Sequence, residues 1–171
     1  MMFSLRKLRR DREGSTVVEF ALIAPVFFAL LFAILETGIM FLAGQVLQTV
    51  TQDSARMILT GNAQTASYSS VNFASYVCSQ VPALLSCNNI SIDVKSYPSF
   101  SSISMSNQID GSGNFINNNL QYTPGNPGDV VVVRLFYQWP LVVTGLGWNS
   151  SNLFGNKRLL VGTAAFRNEP Y

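Results

Sequence analysis

The chain has no histidine, only two cysteines, and charged side chains at 12% of its 171 residues. Without histidine, the usual general base at neutral pH and the commonest metal ligand are missing. Cys78 and Cys87 stand nine positions apart, so they form no C-x-x-C redox pair, and a zinc site would need further Cys or His ligands that the chain lacks. The carboxylates that follow the long helix predicted below are Asp93, Asp110, Asp129 and Glu169. Asp93 alternates with apolar residues of a strand pattern, and Asp110 and Asp129 sit in turn sequences, so no paired-carboxylate motif is visible. Gly111 and Gly113 are flanked by polar residues rather than by a strand and a helix, which excludes a phosphate-cradling loop. These absences argue against an enzyme, and no metal or cofactor is expected.

Helix breakers are also scarce where they matter. Between residues 15 and 60 the only proline is Pro25 and the only glycines are Gly38 and Gly44, so one helix of about 45 residues, roughly 65 Å long at 1.5 Å per residue, is predicted. No charged residue occurs from Phe20 to Leu35. With Val17, Val18 and the run Ile39-Met40-Phe41-Leu42-Ala43, the apolar length exceeds the ~20 residues that a bilayer core requires. A membrane-spanning segment is therefore expected at about residues 17–43. Pro25 lacks an amide proton and is expected to kink or loosen the helix.

In front of this segment lies a short basic head. Arg6, Lys7, Arg9, Arg10 and Arg12 oppose Asp11 and Glu13, a local charge of +3 that favours a cytoplasmic amino terminus. Removing residues 1–14 leaves six cations against seven carboxylates, a net charge of −1. The basic character thus belongs to the head and gives no reason to expect a nucleic-acid partner. A secretory signal peptide has an apolar core of about 7 to 15 residues followed by a small-x-small cleavage site; here the core is longer and no clean site follows. A lipoprotein anchor is disfavoured because the first cysteine is Cys78.

Glu19 stands out, since a charge deep in hydrocarbon costs about 2.5 to 3.5 kcal/mol even on the lenient scale. Two readings stand. In one, Glu19 lies near enough to the cytoplasmic interface to reach headgroup water and is simply tolerated. In the other, proteolysis after Gly14 makes Ser15 a new amino terminus, and the positive α-amine of a neighbouring subunit compensates the carboxylate.

The order Gly14-Ser-Thr-Val-Val-Glu19-Phe20 resembles the type IV prepilin cleavage site of the tight-adherence (Flp) pilus system. The longer run from Glu13 to Gly38 is similar to the amino-terminal segment of the TadE-like family of minor pilins or pseudopilins. The marks are Val18-Glu19-Phe20-Ala21-Leu22, Pro25, and Glu36 with Gly38; the ending Phe166-Arg-Asn-Glu-Pro-Tyr171 also resembles that family. The resemblance implies cleavage between Gly14 and Ser15 by a prepilin peptidase, with Glu19 and Phe20 setting subunit registration. It implies as partners other pilins or pseudopilins, inner-membrane pilus-assembly proteins and the lipid bilayer. An uncleaved bitopic inner-membrane scaffold or binding protein of the pilus or secretion machinery is the alternative.

Beyond the membrane-length part, Ile39, Leu42, Ala43, Val46, Leu47, Val50, Ser54, Met57 and Ile58 recur at helical steps and predict one apolar face, with Gln45, Gln48, Gln52, Asp53 and Arg56 opposite. Gly61-Asn62 suits a left-handed helix end. The roughly 110 residues that follow, 62–171, suffice for one modest core. In them a short helix is predicted over Ser70–Gln80, with Val71, Ala74, Cys78 and Val81 on one side. Strands are predicted at 90–95, 129–138 and 157–167, with Gly162 marking a bulge. The Ser/Asn/Gly-rich stretch 100–128 reads as turns. Trp139, Trp148 and Phe154 fall in or beside a long connection, either anchoring a partner or folding back over the sheet edge.

The fold class expected is therefore α+β and pilin-like: a basic leader (1–14), a long transmembrane helix (15–61), and a small antiparallel sheet domain (62–171) packed on that helix. An inner-membrane protein with one span, a cytoplasmic amino terminus and a periplasmic domain follows. In that oxidising compartment Cys78 and Cys87 are expected to pair, for roughly 2 to 3 kcal/mol on the chain-entropy model.

Overall fold

The computed structural model describes residues 13–143 and 149–170, with side chains from Thr16 onward. Helix α1 runs over Glu13–Leu59, 47 residues with Pro25 inside it. Two short helices follow, α2 (Asn62–Thr65) and α3 (Ser70–Gln80), and then three strands, β1 (Ile90–Tyr97), β2 (Val130–Pro140) and β3 (Lys157–Arg167). The strands form one antiparallel sheet in the order β1-β2-β3. The architecture is the α+β arrangement anticipated from the sequence, a long apolar helix followed by a small sheet.

α1 ends where the chain can turn left-handed. Gly61 has φ 73° and its amide donates to the Ile58 carbonyl at 3.0 Å, a conformation that glycine enters without steric cost. At the start of α3 the Ser69 hydroxyl accepts the Asn72 amide at 3.2 Å, as an N-cap should. The buried face of α3 is not the one predicted. Phe73 and Val77 enter the core while Val71 is 70% exposed, so the helix is rotated to pack its bulkiest apolar pair against the rest of the domain. Cys78 and Cys87 are joined by a disulfide with their Cα atoms 5.4 Å apart, tying the end of α3 to the start of β1. The loop that it closes sets Leu85 into the core.

The carboxy-terminal half of α1 lies across the sheet. Met40, Ala43, Leu47, Val50, Ala55 and Ile58 are buried, with Thr51 and Ser54 among them. Ile39 and Leu42, expected on this face, are instead exposed. Small side chains, Ala43, Thr51, Ser54 and Ala55, are set among the larger ones on the face in use, and the reason is on the opposing strand. A Cβ placed on Gly162 would stand 2.1 Å from Thr51 Oγ1 and 2.9 Å from the Leu47 carbonyl oxygen. Gly162 is paired directly with Leu135 in an unbroken register. It marks no bulge; it marks the point where helix backbone and strand backbone nearly touch.

The helix also closes the free edge of β3. The Gln48 amide accepts the Thr163 N–H at 2.9 Å and donates to the Thr163 carbonyl at 2.9 Å. One side chain thus replaces a neighbouring strand at that residue and blunts an edge that would otherwise invite pairing. At the opposite edge, Val94 exchanges hydrogen bonds of 2.8 Å with Gln121 and Thr123.

β2 is buried on both faces from Val130 to Tyr137. Val131, Val133, Leu135 and Tyr137 face α1 and α3; Phe136 faces a second, smaller cluster with Leu153 and Leu159, capped by Ile109, Phe115 and Leu120. The 100–128 stretch therefore does more than turn, since it covers the outer face of the sheet. Its turns are built locally. Asp110 Oδ1 accepts the amides of Ser112 (2.8 Å) and Asn114 (2.7 Å), and the Asn114 side chain, first among these hydrogen bonds, holds the Asp110 carboxyl below its ordinary range.

Under that cover lies a buried ion pair. Asp93 is 1% exposed; its Oδ2 is 2.6 Å from Arg134 Nη2 and its Oδ1 accepts the Gln121 amide at 2.9 Å. Arg134 donates also to the Ser106 carbonyl at 3.3 Å and lies 5.1 Å from the Phe136 ring centre. The alternation of β1 predicted a solvated side for Asp93, and the loop layer overturned it. Tyr122 packs on Phe73 with the ring centres 5.3 Å apart and the planes tilted by 35°, and its hydroxyl pKa is pushed up to about 12 by burial and then by nearby Tyr68.

Two stability measurements follow, both by urea unfolding of the full chain in detergent micelles. Gly162→Ala should cost about 1 to 3 kcal/mol, because neither the Leu47 carbonyl nor Thr51 can retreat without lifting the helix. Asp93→Ala should cost about 3 to 5 kcal/mol by leaving Arg134 buried and unpaired, and Asp93→Ala with Arg134→Met should recover part of the loss.

Candidate functional site

The feature that the domain does not explain is the amino-terminal half of α1. From Thr16 to Ile39 this helix leaves the domain with its side chains largely exposed, and Met40 is the first buried residue. Its most apolar window has a mean hydropathy of 2.6 and none of it is buried in the protein. Twenty-four residues at 1.5 Å each project about 36 Å, enough to cross a hydrocarbon core of about 30 Å. Among the described residues this is one helix long and apolar enough to cross a membrane. A helix that is apolar all round is stable only where something apolar surrounds it.

Polar groups on the segment are few. The Thr37 hydroxyl returns its proton to the Ala33 carbonyl at 2.8 Å, so it adds no unsatisfied donor. The helix passes Pro25 without a break, although proline offers no amide to the Ala21 carbonyl. Glu19 and Phe20 are exposed on the stem one and a half turns or less from Ser15. The basic leader, residues 1–12, lies outside the described residues. Gly14 and Ser15 fall in the first turn of α1.

At the point where α1 meets the domain, Glu36 makes a contact that the sequence did not reveal. Its carboxylate accepts the backbone amides of Val142 and Val143, with Val143 N at 3.0 Å from Oε2 and Val142 N close to Oε1. The chain leaving β2 is thereby stapled to the helix stem. Position 36 stood out in the sequence as a carboxylate closing the apolar run and as one mark of the family resemblance; nothing in one dimension shows that residues more than 100 positions later supply its donors.

The carboxy-terminal ending has a comparable hidden role. The buried side chain of Asn168 donates to the Pro124 and Asn126 carbonyls at 2.9 and 3.1 Å, and the Glu169 amide donates to the Leu59 carbonyl at 3.0 Å. The tail so closes the far end of α1. Glu169 and the other domain carboxylates do not converge: among the described residues there is no group of three or more His, Cys, Asp or Glu that could hold a metal ion.

The aromatic residues singled out from the sequence divide. Trp139 belongs to β2, which extends two residues past its predicted end, and packs 6.1 Å from Tyr137. Pro140 can end this strand because β1 stops opposite Tyr137, leaving β2 an edge beyond it. Phe154 is 79% exposed while its neighbour Leu153 is buried. Trp148 lies outside the described residues.

No curated protein and no solved structure matches the chain. A family model described as TadE-like protein matches residues 14–56. The match starts at Gly14, takes in the whole exposed stem with Glu19, Pro25 and Glu36, and ends within the part of α1 that lies on the sheet; the similarity to that family is confined to this segment.

Proposed function

We propose that this protein is a minor pilin or pseudopilin that takes part in assembly of a tight-adherence pilus. The observation that carries the proposal is the exposed apolar stem of α1, rigidly continuous with a folded domain and lying within the TadE-like segment. A stem of this kind is held in a bilayer before assembly and can be transferred to the apolar stems of neighbouring subunits afterwards. The domain travels with it because Gly162, Gln48 and Glu36 fix the helix to the sheet.

In this reading the basic leader keeps the amino terminus in the cytoplasm, where a membrane-embedded prepilin peptidase cuts between Gly14 and Ser15. The new α-amine and Glu19 then carry opposite charges four residues apart, a little over one helical turn, so the amine of one subunit and the carboxylate of the next can pair when stems are staggered. Phe20 sets the same register through apolar contact. The domain faces the periplasm, where the Cys78–Cys87 bond is stable.

Mass spectrometry of the membrane-extracted protein should find Ser15 as its amino terminus when the cognate peptidase is present. Gly14→Leu should leave only the longer form. An intact terminus in both would reject processing and favour the uncleaved bitopic scaffold.

Glu19→Gln should retain cleavage and membrane insertion but lower the yield of co-purified pilin subunits. An unchanged yield would mean that Glu19 is a tolerated interfacial carboxylate with no part in registration.

A further inference from the structure

Glu36 and the turn that it holds carry a second consequence. Beyond β2 the chain runs along α1 over Leu141–Val143, and Val142 is 86% exposed. Together with Phe32, Leu35 and Ile39 on the helix and Trp139 and Pro140 at the strand end, it borders an open groove of about 820 Å³. From Leu135 to Asn156 the chain holds no charged residue.

The level of this patch along the helix is set by arithmetic. Glu36 lies seventeen residues beyond Glu19, an axial distance of about 26 Å at 1.5 Å per residue, against a hydrocarbon core of about 30 Å. The two carboxylates therefore bracket the apolar interval, and the turn lies where acyl chains give way to headgroups. At that depth a backbone amide without a partner is strongly disfavoured, because no water is there to accept its proton. The two amides nearest the exposed valine have a partner, since Glu36 accepts both. Tryptophan is the side chain most suited to this boundary, with an apolar ring and one N–H donor.

We propose that the Trp139–Val143 turn is a second membrane contact, seated in the acyl-chain boundary of the periplasmic leaflet, and that Glu36 makes this possible by satisfying the Val142 and Val143 amides. The occupant of the groove is lipid chain. Its continuity with the exposed stem selects lipid, because the groove wall and the membrane-length surface are the same helix face. The domain then rests on the bilayer at a set height and tilt rather than swinging on a tether. This inference rests on the reading of α1 as a membrane span.

The test uses the full chain in phosphatidylethanolamine/phosphatidylglycerol vesicles, with Trp148→Phe leaving Trp139 as the sole tryptophan. Doxyl lipids labelled near the headgroup should at least halve Trp139 emission, those labelled near the chain end should act less, and aqueous acrylamide should act least. A Leu30→Trp chain with both native tryptophans replaced by phenylalanine serves as the depth reference and should respond most to the deep label. Val142→Asp, a change at an exposed position, should shift Trp139 from lipid quenching to acrylamide quenching. If Leu30→Trp escapes the deep label, the span reading fails and the seating with it. If it is quenched while Trp139 responds only to acrylamide, the span stands and the turn is in water. Trp139 shielded from both quenchers would mean that another protein surface covers the groove, which also overturns the proposal, as would a Val142→Asp chain that behaves like its parent.

Discussion

The near contact of α1 with β3 at Gly162 is the constraint on which the rest of the structure depends. A strand residue without a side chain lets the Thr51 hydroxyl and the Leu47 carbonyl come down onto the sheet. The small residues Ala43, Ser54 and Ala55 keep that approach possible along the helix. With the backbones this close, Gln48 reaches the outer edge of β3 and Glu169 reaches the last turn of α1. A larger residue at position 162 would raise the helix and detach these contacts together.

Because the helix is held so firmly, the stem cannot choose its direction. The carboxy-terminal half of α1 is oriented by packing on the sheet, and the amino-terminal half continues the same helix with its apolar side chains exposed. One continuous element thus has a packed half and an exposed apolar half, and Glu36 stands where they meet. Its carboxylate is half-buried, and its two amide donors come from the chain leaving the end of β2.

The sheet itself has two unequal covers. On the α1 side the core is aliphatic with Phe73 and Tyr137; on the other side a loop layer with little regular structure covers Phe136 and the Asp93–Arg134 pair. A loop cover has few ladder hydrogen bonds, so side chains supply them: Asp93 holds the Gln121 amide, Asp110 holds its own turn, and Arg134 holds the Ser106 carbonyl. These contacts place polar chemistry on the domain's far face, away from the apolar stem.

Much of this was legible in one dimension, for reasons that are local. The long helix follows from the absence of breakers, its left-handed end from Gly61, and strand β3 from branched and aliphatic residues between turn signals. The exposed stem was legible too, because hydrophobicity without periodicity names an apolar environment on every side. The residues that look like a cleavage and registration site, Gly14, Ser15, Glu19 and Phe20, could be picked out because they fall within seven consecutive positions.

What tertiary structure decided was every feature that joins distant residues. That β2 is buried on both faces emerged only in three dimensions, because the layer that buries the second face is a polar, glycine-rich stretch that no periodicity marks. Asp93 belonged to a plausible solvent stripe until that layer closed over it. The rotation of α3, the place of Gly162 against Thr51, and the union of Glu36 with Val142 and Val143 all depend on how elements stack. A sequence specifies which backbone states are cheap at each residue, whereas the partner of a side chain is set by packing in three dimensions, where a single close approach fixes the positions of many others.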